Sequence, residues 1–222
     1  MSNELENAAK FKHWVSNVKN AGCTLHGVKP LAVLPRHNGE ILFALLEAEV
    51  EPPEGGRLPE YLFLRGNACI VVPLLRNRST GEERYLMVRQ RRIGNGLMSL
   101  EFPAGMVDAT VNDPRGVAIK ELEEETGLSV EREALAPLVP YPLYSSPGGS
   151  DEAIHYFGCL VEMDNNEYRS FEGRIREHAT ENERITVTLR TRAEAENGLR
   201  SLQARLGFYL FQHYMLTDKK AE

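Results

Sequence analysis

Apolar and polar positions divide the chain into segments of distinct character. Residues 31–36 (LAVLPR) and 40–50 (EILFALLEAEV) read as strands, and the polar stretch from residue 1 to about 20 reads as a helix or arm. EPPEGGRLPE (51–60) is rich in Pro and Gly and predicts a loop. The segment 61–75 (YLFLRGNACIVVPLL) has a nearly unbroken apolar run from Ala68, the pattern of a strand covered on both faces. NRSTGEE (77–83) is a turn, and RYLMVRQ (84–90), IHYFGCLVE (154–162) and RITVTLR (184–190) are strands. In NDPRGVAIKELEEETG, Asp113 suits an N-cap, Pro114 the first helical position and Gly127 the stop, so the helix runs from Pro114 to Thr126. Arg192 to Met215 carries Leu199, Leu202, Leu206 and Leu210 at helical spacing and predicts one or two closing helices packed on the rest.

These segments place a β-rich module at 1–65 before a mixed α/β domain at 66–222. Composition adds exclusions. Hydrophobic content of 42% and charged content of 26% are those of an ordinary globular protein. A net charge of -6 provides no basic field for nucleic acid or anionic membrane, and no apolar run has the length of a span. Cys23, Cys69 and Cys159 form no CxxC pair and read as reduced, mostly buried thiols. The N-terminal residues lack the apolar core of a secretory signal, so the expectation is a cytoplasmic protein. No GxxxxGK[ST] phosphate loop is present.

The chemistry gathers in KELEEETG, Lys120 to Gly127. At about 100° per residue, Glu121, Glu124 and Glu125 share one side of the helix beside the apolar stripe of Ala118, Ile119 and Leu122. Glu121 and Glu125 repel as i,i+4 neighbours, and all three stand at the negative end of the macrodipole. Taken alone, the run reads equally well as a solvated acidic face. A hard divalent cation, which takes oxygen ligands and is shared with substrate phosphates, is the chemical reason to collect carboxylates there.

The stretch GMVDATVNDPRGVAIKELEEETGL (105–128) resembles the signature box of the Nudix hydrolases, G-x5-E-x7-R-E-U-x-E-E-x-G-U, with U a bulky aliphatic. Glu121, Leu122, Glu124, Glu125, Gly127 and Leu128 match. Lys120 stands in place of the Arg, Asn112 in place of the upstream Glu, and one extra residue follows Gly105. Lys keeps the charge but loses the planar fork of Arg. FLRGNACIVVPL, VRQRRIG, LEFPAGMVD, SSPGGSDEAIHYF and REHATENERITV occur in the order of the nucleoside diphosphate sugar branch, with the plant ADP-sugar diphosphatases most similar.

The resemblance implies an α/β/α sandwich with a mixed sheet behind a small β domain, a homodimer, and Mg²⁺ (or Mn²⁺) as cofactor. It implies metal binding by the Ala104 carbonyl, Glu121 and Glu125, with Glu124 as ligand or water-positioner. It implies a base from the late ENE, with Glu183 favoured over Glu181 and Glu124 as the other candidate. It also implies substrate contacts from Arg92, Glu101 and a loop carrying Ser146, Pro147 and Gly148. The implied reaction is hydrolysis of an ADP-sugar, ADP-glucose or ADP-ribose, to AMP and a sugar phosphate. UDP-glucose is the alternative substrate, and a non-catalytic ligand-binding module the alternative class.

Overall fold

A computed structural model of the chain describes residues 3–36, 38–107, 113–178 and 183–218, with the side chains of Asn3, His178, Glu183 and Asp218 outside the description. Two compact units emerge. One comprises Met1–Ala68, Met106–Asn112 and Leu143–Ile154, and the other Cys69–Gly105, Asp113–Pro142 and His155–Glu222.

The first unit begins with helices α1 (Asn3–Asn7) and α2 (Ala9–Asn20). Strands β1 (Thr24–Pro35), β2 (Ile41–Glu51) and β3 (Tyr61–Leu64) follow as an antiparallel sheet in the order β1-β2-β3. Period-two alternation along β2 buries Ala44, Leu46, Ala48 and Val50. They form one core with Leu64 and with Leu5, Phe11 and Trp14. The N-terminal stretch, polar in overall composition, therefore contributes helices with a buried apolar face. Strand β1 starts at Thr24 rather than at residue 31. Gly27 and Pro30 read as breakers, but β1 is an outer strand, where Pro is tolerated, and the pairing steps across both residues through irregular register. The segment 61–75 holds β3 and the start of β4, which begins at Ala68 where the apolar run begins, and Gly66 between them takes φ 84°.

The second unit is built on β4 (Ala68–Asn77), β5 (Glu83–Arg91), β6 (Met98–Glu101), β7 (Ala104–Met106), β8 (Ala136–Pro137), β10 (Ala153–Met163), β11 (Ile175–His178) and β12 (Glu183–Arg190), while β9 (Leu143–Tyr144) belongs to the first. Its helices are α3 (Pro114–Thr126), α4 (Asn165–Ser170), α5 (Arg192–Gly198) and α6 (Leu202–Asp218). The sheet is mixed and nine-stranded in the order β11-β12-β5-β4-β10-β8, with β6 on β5, β7 on β4 and β9 on β10. Strand β4 is buried along nearly its whole length, as a strand covered on both faces must be. Cys69 lies by Gly105 and α3, whereas Val72 packs at Gly207 of α6. Residues an odd number apart on a strand point to opposite faces, so α3 and α6 cover opposite sides and the layers run α/β/α.

Helix α6 packs through a different face from the expected leucine stripe. Ala204, Phe208 and Phe211 are buried, while Leu202 is 73% and Leu206 37% exposed. Tyr85 sets this choice, with ring centroids 5.3 Å from Phe208 and 6.2 Å from Phe211. Among the described residues no helix is long and apolar enough to cross a membrane.

Candidate active site

Helix α3 is fixed at both ends. At its start, Asp113 accepts from the Gly116 N–H at 3.1 Å and holds Arg132 through two bonds of 2.8 Å. The Arg132 guanidinium, aided by that N–H, keeps the Asp113 carboxyl down at about 2. At its end, Gly127 adopts φ 79° and its N–H returns to the Glu123 carbonyl. Two arginines from the segment leading into and along β11 complete the cap. Arg176 donates to the Glu123 and Glu124 carbonyls at 2.7 and 3.0 Å, and Arg174 donates to the Thr126 carbonyl at 3.1 Å. A Cβ on Gly127 would stand 2.4 Å from Arg174 Nη1, so the glycine serves both the left-handed turn and the arginine approach. The negative end of the helix thus already faces guanidinium groups, and carboxylates there are less costly than the macrodipole alone implies.

Ala118 and Leu122 face the core, and Glu125 is only 5% exposed. A Glu125 oxygen accepts from the Ala104 N–H at 3.3 Å. One turn earlier, Glu121 lies against Gly105, and a Cβ on that glycine would stand 2.1 Å from Glu121 Cδ. The thiol of Cys69 senses both carboxylates. Burial, aided by the charges of Glu121 and Glu125 and opposed by the Gly105 backbone, pushes it up to about 12. Glu121 and Glu125 therefore converge on Ala104 and Gly105 of β7. Glu124 turns aside to Lys120 at 3.2 Å.

Arg92 and Glu101 come together as a chelated ion pair, with bonds of 2.8, 3.2 and 3.3 Å. Burial pushes the Glu101 carboxyl up, but the bonds from Arg92 and Ser99 and the Arg92 charge outweigh it and hold the group below the usual carboxylate range. Ser146, Pro147 and Gly148 lie on an exposed turn of the first unit, closed by bonds from the Gly149 and Ser150 N–H groups to the Ser146 carbonyl. Glu181, like Asn112, lies outside the described residues. Glu183 opens β12 opposite His178, and its side chain is likewise outside them. Cys69, Arg174 and Arg176 carried no local sequence signal for their places at this helix, because each arrives from a segment distant in the chain.

Apart from the protonated Cys69 thiol, the donors at Ala104 and Gly105 of β7 are all oxygen, and the helix supplies two carboxylates within one turn. Among the described residues no three His, Cys, Asp or Glu side chains converge as a complete ligand cage. Magnesium does not need one, since it binds through one or two carboxylates with waters and substrate phosphates. Gly105 leaves bare the space that a side chain would take from Glu121. The residues present fit an open hard-cation site.

The NUDIX domain family matches residues 65–200. The chain belongs to the NUDIX family. Over 185 residues it is 30% identical to Nudix hydrolase 14, chloroplastic, of Arabidopsis thaliana, covering 76% of this chain and 59% of that protein. It is 30% identical over 120 residues to the ADP-ribose pyrophosphatase of Bacillus subtilis (strain 168), covering 54% of this chain and 59% of the relative. The matched region thus spans less than two thirds of either NUDIX relative. A solved structure of an ADP compounds hydrolase shares the fold with a TM-score of 0.61 at 15% identity, covering 88% of this chain and 95% of that one.

Proposed function

We propose that this NUDIX protein is a divalent-cation-dependent hydrolase that cleaves the pyrophosphate of an ADP-sugar, such as ADP-glucose or ADP-ribose, to AMP and a sugar phosphate. The convergence of Glu121 and Glu125 on Ala104 and Gly105 of β7 carries this reading. A pyrophosphate presents clustered negative charge that bare carboxylates repel. Glu121, Glu125 and the Ala104 carbonyl would hold Mg²⁺ (or Mn²⁺), with Glu124 assisting. When bound, the cation neutralises phosphate oxygens and makes the attacking water more acidic.

The chain's own residues supply the remaining functions. A glutamate takes the proton of the attacking water as its oxygen bonds to one phosphorus and the bridging oxygen leaves with the other phosphate. We assign that role to Glu183, with Glu181 and Glu124 as the competing carboxylates. Arg92 offers its planar guanidinium to phosphate or sugar oxygens from a position held by Glu101. The turn of Ser146, Pro147 and Gly148 contacts the rest of the substrate. The printed name of the Bacillus subtilis relative supports the nucleotide-sugar class.

We further propose a homodimer through the outward face of the three-stranded sheet. Register there places Leu34 beside Phe43 and Leu45 beside Phe63, and Leu34 is 54%, Leu45 41% and Phe63 37% exposed. A panel of ADP-glucose, ADP-ribose and UDP-glucose with Mg²⁺ tests the reaction. Release of AMP from an ADP-sugar, abolished by chelator, is the expected result. Preferential release of UMP would transfer the assignment to UDP-sugars, and no release from any of them would reject it.

A further inference from the structure

The turn bearing Ser146 and Gly148 is fastened to the first unit by two consecutive acids, Asp151 and Glu152. Asp151 receives the Arg65 N–H at 2.7 Å and the Gly66 N–H at 3.1 Å on both of its oxygens. Those two residues form the break between β3 and β4, where Gly66 is in the left-handed region. Glu152 is 8% exposed and reaches both ways. One oxygen accepts the Ser145 hydroxyl at 2.6 Å, and the other stands 2.7 Å from Arg65 Nε, out of line for a hydrogen bond and so an ion pair. The Phe63 N–H donates to the Gly149 carbonyl at 2.8 Å, and Phe63 bridges to Ser150. On the other side, Lys10 Nζ donates to the Arg65 and Leu42 carbonyls at 3.1 and 2.6 Å. The turn is thus held at its stem by charged groups at least partly withdrawn from water.

Its tip is different. Gly148 has no positive φ, and a Cβ there would meet nothing within 4 Å. Neither backbone conformation nor packing accounts for glycine at that point. A rigid stem beneath a bare tip is the arrangement needed to present backbone to a ligand at a fixed height.

We propose that Asp151 and Glu152 are positioning residues for substrate binding, setting the height and register of the Ser146–Gly149 turn through the Arg65–Gly66 break. This inference rests on the reading of that turn as a substrate contact. It adds that the contact is set by the tie to the Arg65–Gly66 break and not by the Ser146–Gly149 residues alone.

Steady-state kinetics with ADP-ribose and ADP-glucose, paired with thermal unfolding, test it. Asp151→Ala is expected to raise KM about tenfold with kcat within about threefold, the pattern of lost uniform binding. Asp151→Asn, which keeps one acceptor for the two N–H groups, should recover part of that loss. Ser145→Ala removes only the hydroxyl bond to Glu152 and gives a second route if Asp151→Ala fails to fold; a rise in KM of about threefold is expected. Gly148→Ala should leave Tm in place and raise KM, because the added methyl meets only the ligand. If Gly148→Ala raises KM while the Asp151 and Ser145 variants leave it unaltered, the positioning role is overturned and the substrate turn stands. If none of these variants alters KM, the substrate turn itself is rejected. Equal losses in kcat and Tm with KM constant would make the acids merely structural.

Discussion

The carboxylate of Glu121 occupies the space that a side chain on Gly105 would fill, with only 2.1 Å between Glu121 Cδ and a Cβ built on the glycine. The glycine of the NUDIX motif is required here by volume, since its φ is not in the left-handed region. Any residue with a Cβ must push Glu121 away from β7. Gly105→Ala is therefore expected to lower kcat by about a hundredfold, the scale of a misplacement near 1 Å. Circular dichroism should show the fold intact. A variant with full activity would separate Glu121 from the reaction.

Arg176 ties two carbonyls of the last turn of α3 to β11. Removing it leaves those acceptors facing the helix's own negative pole. Arg176→Ala should cost about 1.5–2 kcal/mol, the lower part of the range for bonds to charged groups because the arginine is partly exposed. A urea unfolding midpoint with unchanged slope measures it. No shift in midpoint would mean that water caps the helix equally well.

How much of this could be read in the chain varies with the range of the forces involved. Helix α3 was legible at both ends because Asp113, Pro114 and Gly127 act on their immediate neighbours. The place of Ala104 and Gly105 before the helix was legible through the motif, although they form strand β7 rather than a turn. The buried face of α6 was not, because Leu202, Leu206 and Leu210 have helical spacing just as Ala204, Phe208 and Phe211 do. What decides between those faces is Tyr85, a residue of β5. Strand β1 was obscured by Gly27 and Pro30, whose effect depends on whether a strand lies at the edge of its sheet. The arginine cap of α3 was invisible for the same reason as the α6 face, since Arg174 and Arg176 meet the helix only in three dimensions.

The Arg92–Glu101 pair carries a pH signature. The folded Glu101 carboxyl lies below its ordinary value of 4.5. Its contribution to stability is therefore fully present above pH 4.5 and is lost as pH falls through the lowered folded value. Glu101→Gln should flatten the acid limb of the stability curve below pH 4.5 while leaving its neutral region less affected. Denaturant titrations from pH 3 to about 7 would show this, and an acid limb identical to that of the unaltered chain would remove Glu101 from the acid response.

The outward face of the three-stranded sheet gives a direct test of assembly. Leu45→Glu places a charge amid Leu34, Phe43 and Phe63 on a side chain already 41% exposed in one chain. Light scattering after size exclusion should find the unaltered protein dimeric and the variant monomeric, with similar Tm. Two species of equal mass would place any interface elsewhere.

The central claim is that Glu121 and Glu125 hold a divalent cation for pyrophosphate hydrolysis. Glu125→Gln preserves side-chain shape and an acceptor for the Ala104 N–H while removing the charge. The most direct measurement is AMP release from an ADP-sugar by this variant, alongside Mn²⁺ binding followed by electron paramagnetic resonance. A fall of about a hundredfold or more in kcat, together with weakened Mn²⁺ binding at an unchanged Tm, is the predicted result. Full turnover with Mn²⁺ binding intact would contradict the claim.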